Sequence, residues 1–288
     1  MELYFRTNLS KNSGLGHIVR TKRICKKLKK FNISPKIYID CNLTQYQKDK
    51  EIINLYNETG RFNQNQDANL FLSKTKKRGI VVVDDYRINS LWLKKISQFH
   101  KEIIIFDDFN KKYNFVNTII NSKPDFLLDT EKLRYKKLNI GKKLLLGPDY
   151  AVLDTLKKKK INSAKFKIIF YTGGSGDILP LVNIIIELKK NNKMFNKFLI
   201  YVVVGVFAKN RESIKKILQF KNIKIVDSKK NVLTKLNFAD LFVGTSGLSM
   251  YELKLYNIPR ILFEMNDNQR CKTKAHDKLG NFFYTKKK

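Results

Sequence analysis

Short runs of β-branched and aromatic residues alternate along the chain with longer stretches of helical periodicity. The runs IVVVD at Ile80–Asp84 and IIIFD at Ile103–Asp107 are continuously apolar up to their last residue. Such runs are typical of parallel strands that helices cover on both faces. The alternation therefore predicts repeated βα units and α/β domains built on parallel sheets.

The alternation breaks once, in the stretch GPDYAVLDTLKKKKINSA at residues 147–164, where a proline, a run of lysines and small polar residues follow one another. Predicted strands before the break are Leu3–Arg6, Lys36–Asp40, Ile80–Asp84, Ile103–Asp107, Asn117–Ile120 and Lys143–Leu146, with helices near Gly16–Lys30, Leu43–Asn57 and Ser90–Phe99. Predicted strands after it are Phe166–Tyr171, Phe198–Val204, Ile223–Val226, Leu241–Val243 and Ile261–Glu264. The helices predicted there lie near Leu179–Lys190, Arg211–Phe220, Asn231–Asn237, Leu248–Tyr256 and Gln269–Leu279.

Two domains follow from this division. We expect an N-terminal domain over residues 1–150, a linker at about 151–164 and a C-terminal domain over residues 165–288. Two doubly wound, Rossmann-like sheets facing each other across a cleft are the simplest architecture for this pattern. In the first predicted helix, Ile24, Leu28 and Phe31 have the spacing of one apolar face.

The composition allows two hydrophobic cores and gives no sign of a membrane segment. Of 288 residues, 43% are hydrophobic and 12% aromatic, and no segment approaches about 20 uninterrupted apolar residues. The N-terminus lacks the apolar stretch of a signal peptide. The cysteines Cys25, Cys41 and Cys271 have no metal-type spacing. We therefore expect a cytoplasmic protein without a membrane partner.

The net charge of +33 arises from lysines spread along the whole chain. Strongly basic proteins are drawn to nucleic acids, acidic lipids or anionic substrates. The densest run, Lys157–Lys160, falls in the predicted linker, and no nucleic-acid-binding motif accompanies the charge. We therefore expect no specific nucleic-acid partner. The charge alone leaves open whether an acidic partner is recruited.

Ligands of open parallel sheets bind beyond the carboxyl ends of the strands, so loops at those ends are the first candidates for a site. After the first strand comes SGLGHIVR at residues 13–20, in which Gly14 and Gly16 permit a tight turn. His17 then falls in the first helical turn. The positive helix N-terminus favours a neutral ring, the form that a general base requires. The alternative is a structural, capping histidine.

Two loops of the second half have the composition of phosphate sites. In TGGSGD at residues 172–177, the amides of Gly173, Gly174 and Ser175 precede a helix and match an anion site, although a plain turn is equally consistent. Ser246 and Gly247 stand at the start of a later helix. That helix carries Glu252, which is either a ribose ligand or a solvated carboxylate.

Several segments in one order resemble a known enzyme family. They are R-T-N from Arg6, GLGHIVR, VVVDDY, IFDD, LLGPDYAVL, YTGGSGD and ADLFVGTSG…YEL…NIPRILFEMNDNQ. This set is similar to the PseG-type UDP-2,4-diacetamido-2,4,6-trideoxy-β-L-altropyranose hydrolases of pseudaminic acid biosynthesis, which are related to GT-B glycosyltransferases. The resemblance covers nearly the whole chain and implies a GT-B-like fold.

The resemblance also implies roles for individual residues. It implies that His17 is the base that deprotonates water for attack at the anomeric carbon with inversion, and that neither a metal nor another cofactor takes part. No Asp-x-Asp cluster is found. Adjacent acidic residues do occur at Asp84–Asp85 and Asp107–Asp108, each pair at the end of a predicted strand. Each pair either belongs to the site or caps the strand end, and we favour capping for the second pair. The substrate-binding residues expected from the loops and the resemblance are Gly14, Gly16, Tyr86, Gly173, Gly174, Ser175, Ser246, Gly247, Glu252, Asn268 and Gln269.

The sequence thus favours an enzyme that hydrolyses a UDP-linked 2,4-diacetamido-2,4,6-trideoxy sugar to the free sugar and UDP. The first alternative is a GT-B glycosyltransferase that moves a sugar from a UDP donor to an acceptor hydroxyl. The second is a sugar-nucleotide sensor or nucleic-acid binder without catalysis. This last hypothesis accounts for the high net charge but not for the loop around His17. The oligomeric state and the identity of the sugar are not encoded in these patterns.

Overall fold

The continuous apolar runs form the strands of two parallel sheets. The structure is a computed structural model that describes residues 2–9, 15–40, 51–55, 62–153, 164–228, 237–265, 267–270, 274–275, 278, 280 and 282–285. The chain divides into two compact units, Met1–Val152 and Leu153–Lys288. Each unit contains one of the sheets.

In the first unit the strands follow the order β3-β2-β1-β4-β5-β6-β7, and every neighbouring pair is parallel. The strands are β1 (Leu3–Thr7), β2 (Lys36–Ile39), β3 (Ile52–Asn54), β4 (Ile80–Asp84), β5 (Glu102–Phe106), β6 (Thr118–Asn121) and β7 (Lys143–Leu146). The helices are α1 (Gly16–Leu28), α2 (Gln64–Lys74), α3 (Ser90–Ser97) and α4 (Asp129–Leu138), with 3₁₀ turns at Lys29–Phe31, Pro124–Leu127 and Pro148–Tyr150. The chain order reverses between β1 and β4, as in doubly wound folds.

Both faces of the first sheet are buried. One face packs with α1 around Phe5, Ile18 and Val82. The other packs with α2 and α3 around Phe71 and Trp92. Burial on both faces accounts for strands that are apolar throughout, since neither side chain of an alternating pair meets water.

In the second unit the order is β10-β9-β8-β11-β12-β13, again with parallel pairs only. The strands are β8 (Phe166–Tyr171), β9 (Phe198–Val204), β10 (Ile223–Asp227), β11 (Leu241–Thr245), β12 (Arg260–Phe263) and β13 (Phe282–Thr285). The helices are α5 (Leu179–Asn191) and α6 (Leu248–Leu255), with 3₁₀ helices at Phe195–Lys197, Arg211–Ile217 and Asp267–Gln269. The order reverses between β8 and β11. The predicted class of two doubly wound parallel sheets is confirmed.

Several element predictions were wrong. A helix was predicted at Leu43–Asn57, but within that range Ile52–Asn54 form an edge strand paired with β2. Residues 41–50 and 56–57 lie outside the described part. The helix predicted at Arg211–Phe220 is a 3₁₀ helix over Arg211–Ile217. Residues 231–236 of another predicted helix also lie outside. Within the helix predicted at Gln269–Leu279, Gln269 instead ends a 3₁₀ helix, and residues 274, 275 and 278 are helical.

The buried face of α1 is more polar than its sequence spacing indicates. Phe31 is 74% exposed. His17, Arg20 and Arg23 are buried beside Ile18. Buried cations need partners. The buried polar residues on this face of α1 therefore indicate a polar site rather than a simple core contact.

None of the helices formed by the described residues is long and apolar enough to cross a membrane.

Candidate active site

The reversal of strand order in the first unit brings two loops together. β1 and β4 are neighbours in register, with Thr7 opposite Asp84. α1 follows β1, and residues 85–89 follow β4. Loops beyond the carboxyl ends of strands at such a reversal form the usual binding crevice of doubly wound sheets. His17, Asp84 and Tyr86 all lie there.

His17 is the second residue of α1, and its ring is buried with 4% of its surface exposed. Nδ1 of the ring lies 2.6 Å from Oδ1 of Asp84. The ring of Tyr86 packs against it edge to face, with 4.3 Å between centroids. The ring is therefore held in one orientation by a carboxylate and an aromatic neighbour.

The Asp84 carboxylate also receives two hydrogen bonds from Arg20, one turn further along α1. Nε of Arg20 donates to Oδ2 at 2.8 Å, and Nη2 donates to Oδ1 at 2.5 Å. Burial by itself raises the pKa of Asp84, but the charge of Arg20, together with His17, lowers it well below the ordinary value. Asp84 is therefore an ionised carboxylate.

An ionised carboxylate only accepts hydrogen bonds. The short contact to His17 therefore places a proton on Nδ1, and the neutral ring has its lone pair on Nε2. Within the part of the chain that the structure describes, Nε2 makes no hydrogen bond. This tautomer has the form of a general base oriented by a carboxylate.

Asp108, after β5, extends this network. Nη2 of Arg20 lies 3.2 Å from Oδ2 of Asp108, and the hydroxyl of Tyr86 donates to the same oxygen. The pKa of Tyr86 is well above its usual value because the side chain is buried and Asp108 is negatively charged. Tyr86 is therefore a neutral hydrogen-bond donor. The guanidinium of Arg20 also lies over the ring of Phe106, 4.4 Å from its centroid.

The capping role favoured for Asp107 and Asp108 is correct for the first residue and wrong for the second. Asp107 accepts the backbone N–H groups of Phe109 and Lys111 at 2.9 and 3.0 Å. The hydroxyl of Tyr135 donates to it at 2.5 Å. Asp108 instead bonds to the side chains of Arg20 and Tyr86. Successive side chains of an extended chain point in opposite directions, so Asp108 does not face the same way as Asp107.

In the second unit, the TGGSGD loop lies at the equivalent reversal, after β8. Carbonyl groups hold this loop in place: Gly174 O accepts from Phe207 N at 2.8 Å, and Gly176 O accepts from Lys209 N at 3.1 Å. Among the described residues, the amides of Gly173, Gly174 and Ser175 find no acceptor. Gly173 has φ +87°, which favours glycine. The successive N–H groups are suited to binding an anion near the start of α5.

The residues after β11 and β12 lie at the same edge of the second sheet, since β8, β11 and β12 are parallel neighbours. The hydroxyl of Ser246 donates to the carbonyl of Gln269 at 3.1 Å. Oε1 of Gln269 accepts from Met265 N at 3.0 Å. Glu252 is buried in α6, and its charge contributes to the raised pKa of Tyr171, after the larger effect of that tyrosine's burial.

The structure therefore groups the predicted site residues by unit. Gly16, His17 and Tyr86 lie at the first reversal, and the remaining described ones lie at the carboxyl edge of the second sheet. Gly14 and the side chain of Asn268 lie outside the described residues. A Cβ atom added at Gly16 or at Gly247 would meet none of the described atoms within 4 Å.

The sequence-based prediction did not include Arg20 and Asp108, and it gave Asp84 no specific role in the site. The signal for Asp84 was its position at the end of a strand that pairs with β1. The signal for Arg20 was its spacing of three residues from His17, which places both on one helix face. No group of three or more His, Cys, Asp or Glu side chains among the described residues is arranged to hold a metal ion.

No model of a known protein family matches the chain. Two curated relatives are similar over most of its length. An uncharacterised protein of Methanocaldococcus jannaschii, MJ1062, is 26% identical over 94% of the chain, which spans 57% of that relative's own length. The spore coat polysaccharide biosynthesis protein SpsG of Bacillus subtilis is 23% identical over 93% of the chain and 78% of the relative.

Solved structures share the fold at low sequence identity. The UDP-GlcNAc 2-epimerase of M. jannaschii, in complex with UDP-GlcNAc and UDP, superposes with a TM-score of 0.63 at 15% identity, over 99% of this chain and 89% of that one. The pneumococcal O-GlcNAc transferase GtfA, in complex with UDP and GlcNAc, gives 0.63 at 10% identity over 92% and 84%. The chain has a GT-B-like fold, as predicted.

Proposed function

We propose that the protein hydrolyses a UDP-linked 2,4-diacetamido-2,4,6-trideoxy sugar to the free sugar and UDP, as part of pseudaminic acid-type nonulosonate biosynthesis. The observation that carries this proposal is the buried pair of His17 and ionised Asp84, with 2.6 Å between Nδ1 and the carboxylate. It supplies a base oriented by a carboxylate at the place where doubly wound sheets bind ligands.

In the proposed reaction, Nε2 of His17 takes a proton from water while the water oxygen attacks the anomeric carbon. The bond from this carbon to the glycosidic oxygen breaks, and UDP leaves with that oxygen and its electron pair. The configuration at the carbon inverts. Asp84 stabilises the imidazolium that forms, since its negative charge lies beside Nδ1.

The second unit supplies the proposed binding residues for the nucleotide. The amides of Gly173, Gly174 and Ser175 are available to the pyrophosphate, whose departure they stabilise by binding the developing charge. Glu252 is the proposed ribose ligand. Gln269 is a proposed substrate contact that also holds Ser246 in place, and Asn268 is a second proposed substrate contact.

The comparisons support a UDP-sugar as the substrate class. The M. jannaschii epimerase was solved with UDP-GlcNAc and UDP, and GtfA with UDP and GlcNAc. SpsG is named for a role in polysaccharide biosynthesis. The diacetamido sugar and the hydrolytic outcome rest on the ordered motifs that resemble the PseG-type hydrolases.

The alternative is transfer of the sugar from a UDP donor to an acceptor hydroxyl, which uses the same type of base. The burial of His17 favours hydrolysis, because a ring with only 4% of its surface exposed admits water more readily than a bulky acceptor.

The test is incubation of the full chain with the UDP-diacetamido sugar in the absence of any acceptor, with UDP release as the readout. Hydrolysis predicts steady release, reduced by about 10²-fold or more in His17→Gln. Calorimetry should show that His17→Gln still binds UDP. Release that requires an added alcohol would support transfer, and binding of the sugar nucleotide without any turnover would refute both enzymatic activities.

A further inference from the structure

Arg20 takes part in the site without forming a described hydrogen bond to His17. Its guanidinium uses Nε and Nη2 on the two oxygens of Asp84, and the same Nη2 reaches Asp108. The face of the guanidinium lies on the ring of Phe106. A planar cation held by two carboxylates and by an aromatic ring on one face is fixed in one orientation.

We infer that Arg20 and Asp108 are positioning residues that hold Asp84 in one orientation, and thereby keep the His17 ring in one tautomer and one position. This inference rests on the proposed function for its kinetic consequences, but the tautomer and position of the ring are properties of the free protein. Neither residue touches the water or sugar in the proposed reaction.

The contacts in the network explain why both residues are needed. The groups facing Asp84 are Arg20 and His17 from α1, Tyr86 from the loop after β4, and Asp108 from the loop after β5. Arg20 holds both oxygens of Asp84, so Oδ1 stays beside Nδ1 of His17. Asp108 keeps the free edge of Arg20 in place, and Tyr86 donates to Asp108.

Two substitutions are expected to loosen this arrangement to different degrees. Arg20→Met removes the guanidinium that holds both oxygens of Asp84, whereas Asp108→Asn removes only the charge that holds Nη2 of Arg20. We expect kcat to fall by about 10-fold or more in Arg20→Met and by less in Asp108→Asn, with little change in KM in either variant. A merely structural role would lower stability without this split between kcat and KM.

The most direct readout is ¹⁵N NMR of the histidine-labelled full chain, which contains three histidines. His100 is an internal reference of the opposite tautomer. Gly79 N donates to its Nδ1 at 3.3 Å, and its Nε2 bonds with Thr75 Oγ1 at 3.1 Å, so its proton is on Nε2. In the wild type we expect the His17 signals of a single tautomer, with the proton on Nδ1. We expect Arg20→Met and, to a smaller extent, Asp108→Asn to give signals of both tautomers.

Arg87→Met is the matched control, because Arg87 makes a similar fork with the next aspartate, Asp85, through Nε at 3.0 Å and Nη2 at 2.7 Å. It should leave the His17 signals unchanged. Should Arg20→Met fail to fold, judged by loss of the His100 signals, Arg20→Lys replaces it. Lys retains the charge but not the fork, so we expect His17 to exchange between tautomers and kcat to fall about 10-fold with little change in KM.

Unchanged His17 signals in Arg20→Met, Arg20→Lys and Asp108→Asn would overturn the inference. The NMR experiment needs no substrate, so it separates this inference from the proposed function. Altered His17 signals in a protein without hydrolase activity would support the positioning role and refute the hydrolase proposal. Hydrolase activity together with unaltered signals would do the reverse.

Discussion

Gly205 lies against Gly173 so closely that a Cβ atom added to Gly205 would come within 2.3 Å of the Gly173 carbonyl oxygen and 2.5 Å of that of Gly174. The loop after β9 thus presses on the carbonyl side of the TGGSGD loop and leaves its amide side unpaired in the described residues. The conformation of the proposed phosphate loop therefore depends on a residue that does not contact the nucleotide in our proposal.

Gly205→Ala should displace the TGGSGD loop and weaken UDP binding by about 10-fold or more, since backbone atoms cannot yield as a flexible side chain can. The measurement is calorimetric titration with UDP. Gly79→Ala is the control, because its Cβ would meet the Glu2 carbonyl oxygen at 2.5 Å, in the other unit. That variant should lose stability but bind UDP normally; equal affinities in both variants would argue against the role of the loop.

Asp84→Asn should lower kcat by about 10²-fold or more while KM changes little, because an amide does not stabilise the imidazolium and does not fix the tautomer of His17. Asp85→Asn is the matched control. Asp85 bonds to Arg87 and lies 3.2 Å from Arg6, so its loss affects stability rather than the base. Similar kcat values for the two variants would contradict the assignment of Asp84.

His100 should make the protein less stable in mild acid. Burial lowers its pKa from 6.5 to about 4, so the unfolded chain binds an additional proton between these values. The stabilisation is complete above pH 6.5 and is lost as the pH falls toward 4. Urea unfolding at pH 7 and pH 5 should show a smaller loss for His100→Gln than for the wild type. An equal loss in both proteins would show that His100 is not the source.

Asp67→Asn should reduce the free energy of unfolding by about 3 kcal/mol, because it weakens the pairing of a buried cation. Asp67 bonds to Nε and Nη2 of Arg6 at 3.0 and 2.6 Å and to Nε1 of Trp92 at 2.8 Å. Asp129→Asn is the control. Asp129 is exposed and lies 3.9 Å from Lys132, so its change should be below about 0.5 kcal/mol. Equal changes in chemical denaturation would contradict this account.

The sequence was most informative where one physical requirement dominated. Strands buried on both faces must be apolar throughout, so β4 was predicted with its observed bounds and β5 to within one residue. α2 was missed because it buries an ion pair through Asp67 and shows little apolar periodicity. α4 was missed because Tyr135 is its only buried residue. β3 was missed because a short edge strand of half-buried residues has no distinctive pattern.

The candidate site was predictable in its loops but not in its network. Glycines and helix starts after strands identified the His17 and TGGSGD loops. The network of His17, Arg20 and Asp108 depends on β1, β4 and β5 lying side by side, and Asp108 is 88 residues away from Arg20 in the sequence. Spacing along the chain does not contain that information. The same carboxylates are therefore consistent, from sequence alone, with simple capping.

The central claim is that His17 directs water to the anomeric carbon of a UDP-sugar. Turnover of the UDP-diacetamido sugar in H₂¹⁸O, followed by mass spectrometry of the products, tests it most directly. The claim predicts that UDP is released without ¹⁸O, that the first-formed free sugar carries one ¹⁸O, and that His17→Gln releases neither product at a comparable rate. Incorporation of ¹⁸O into the β-phosphate of UDP would show attack at phosphorus and contradict the claim.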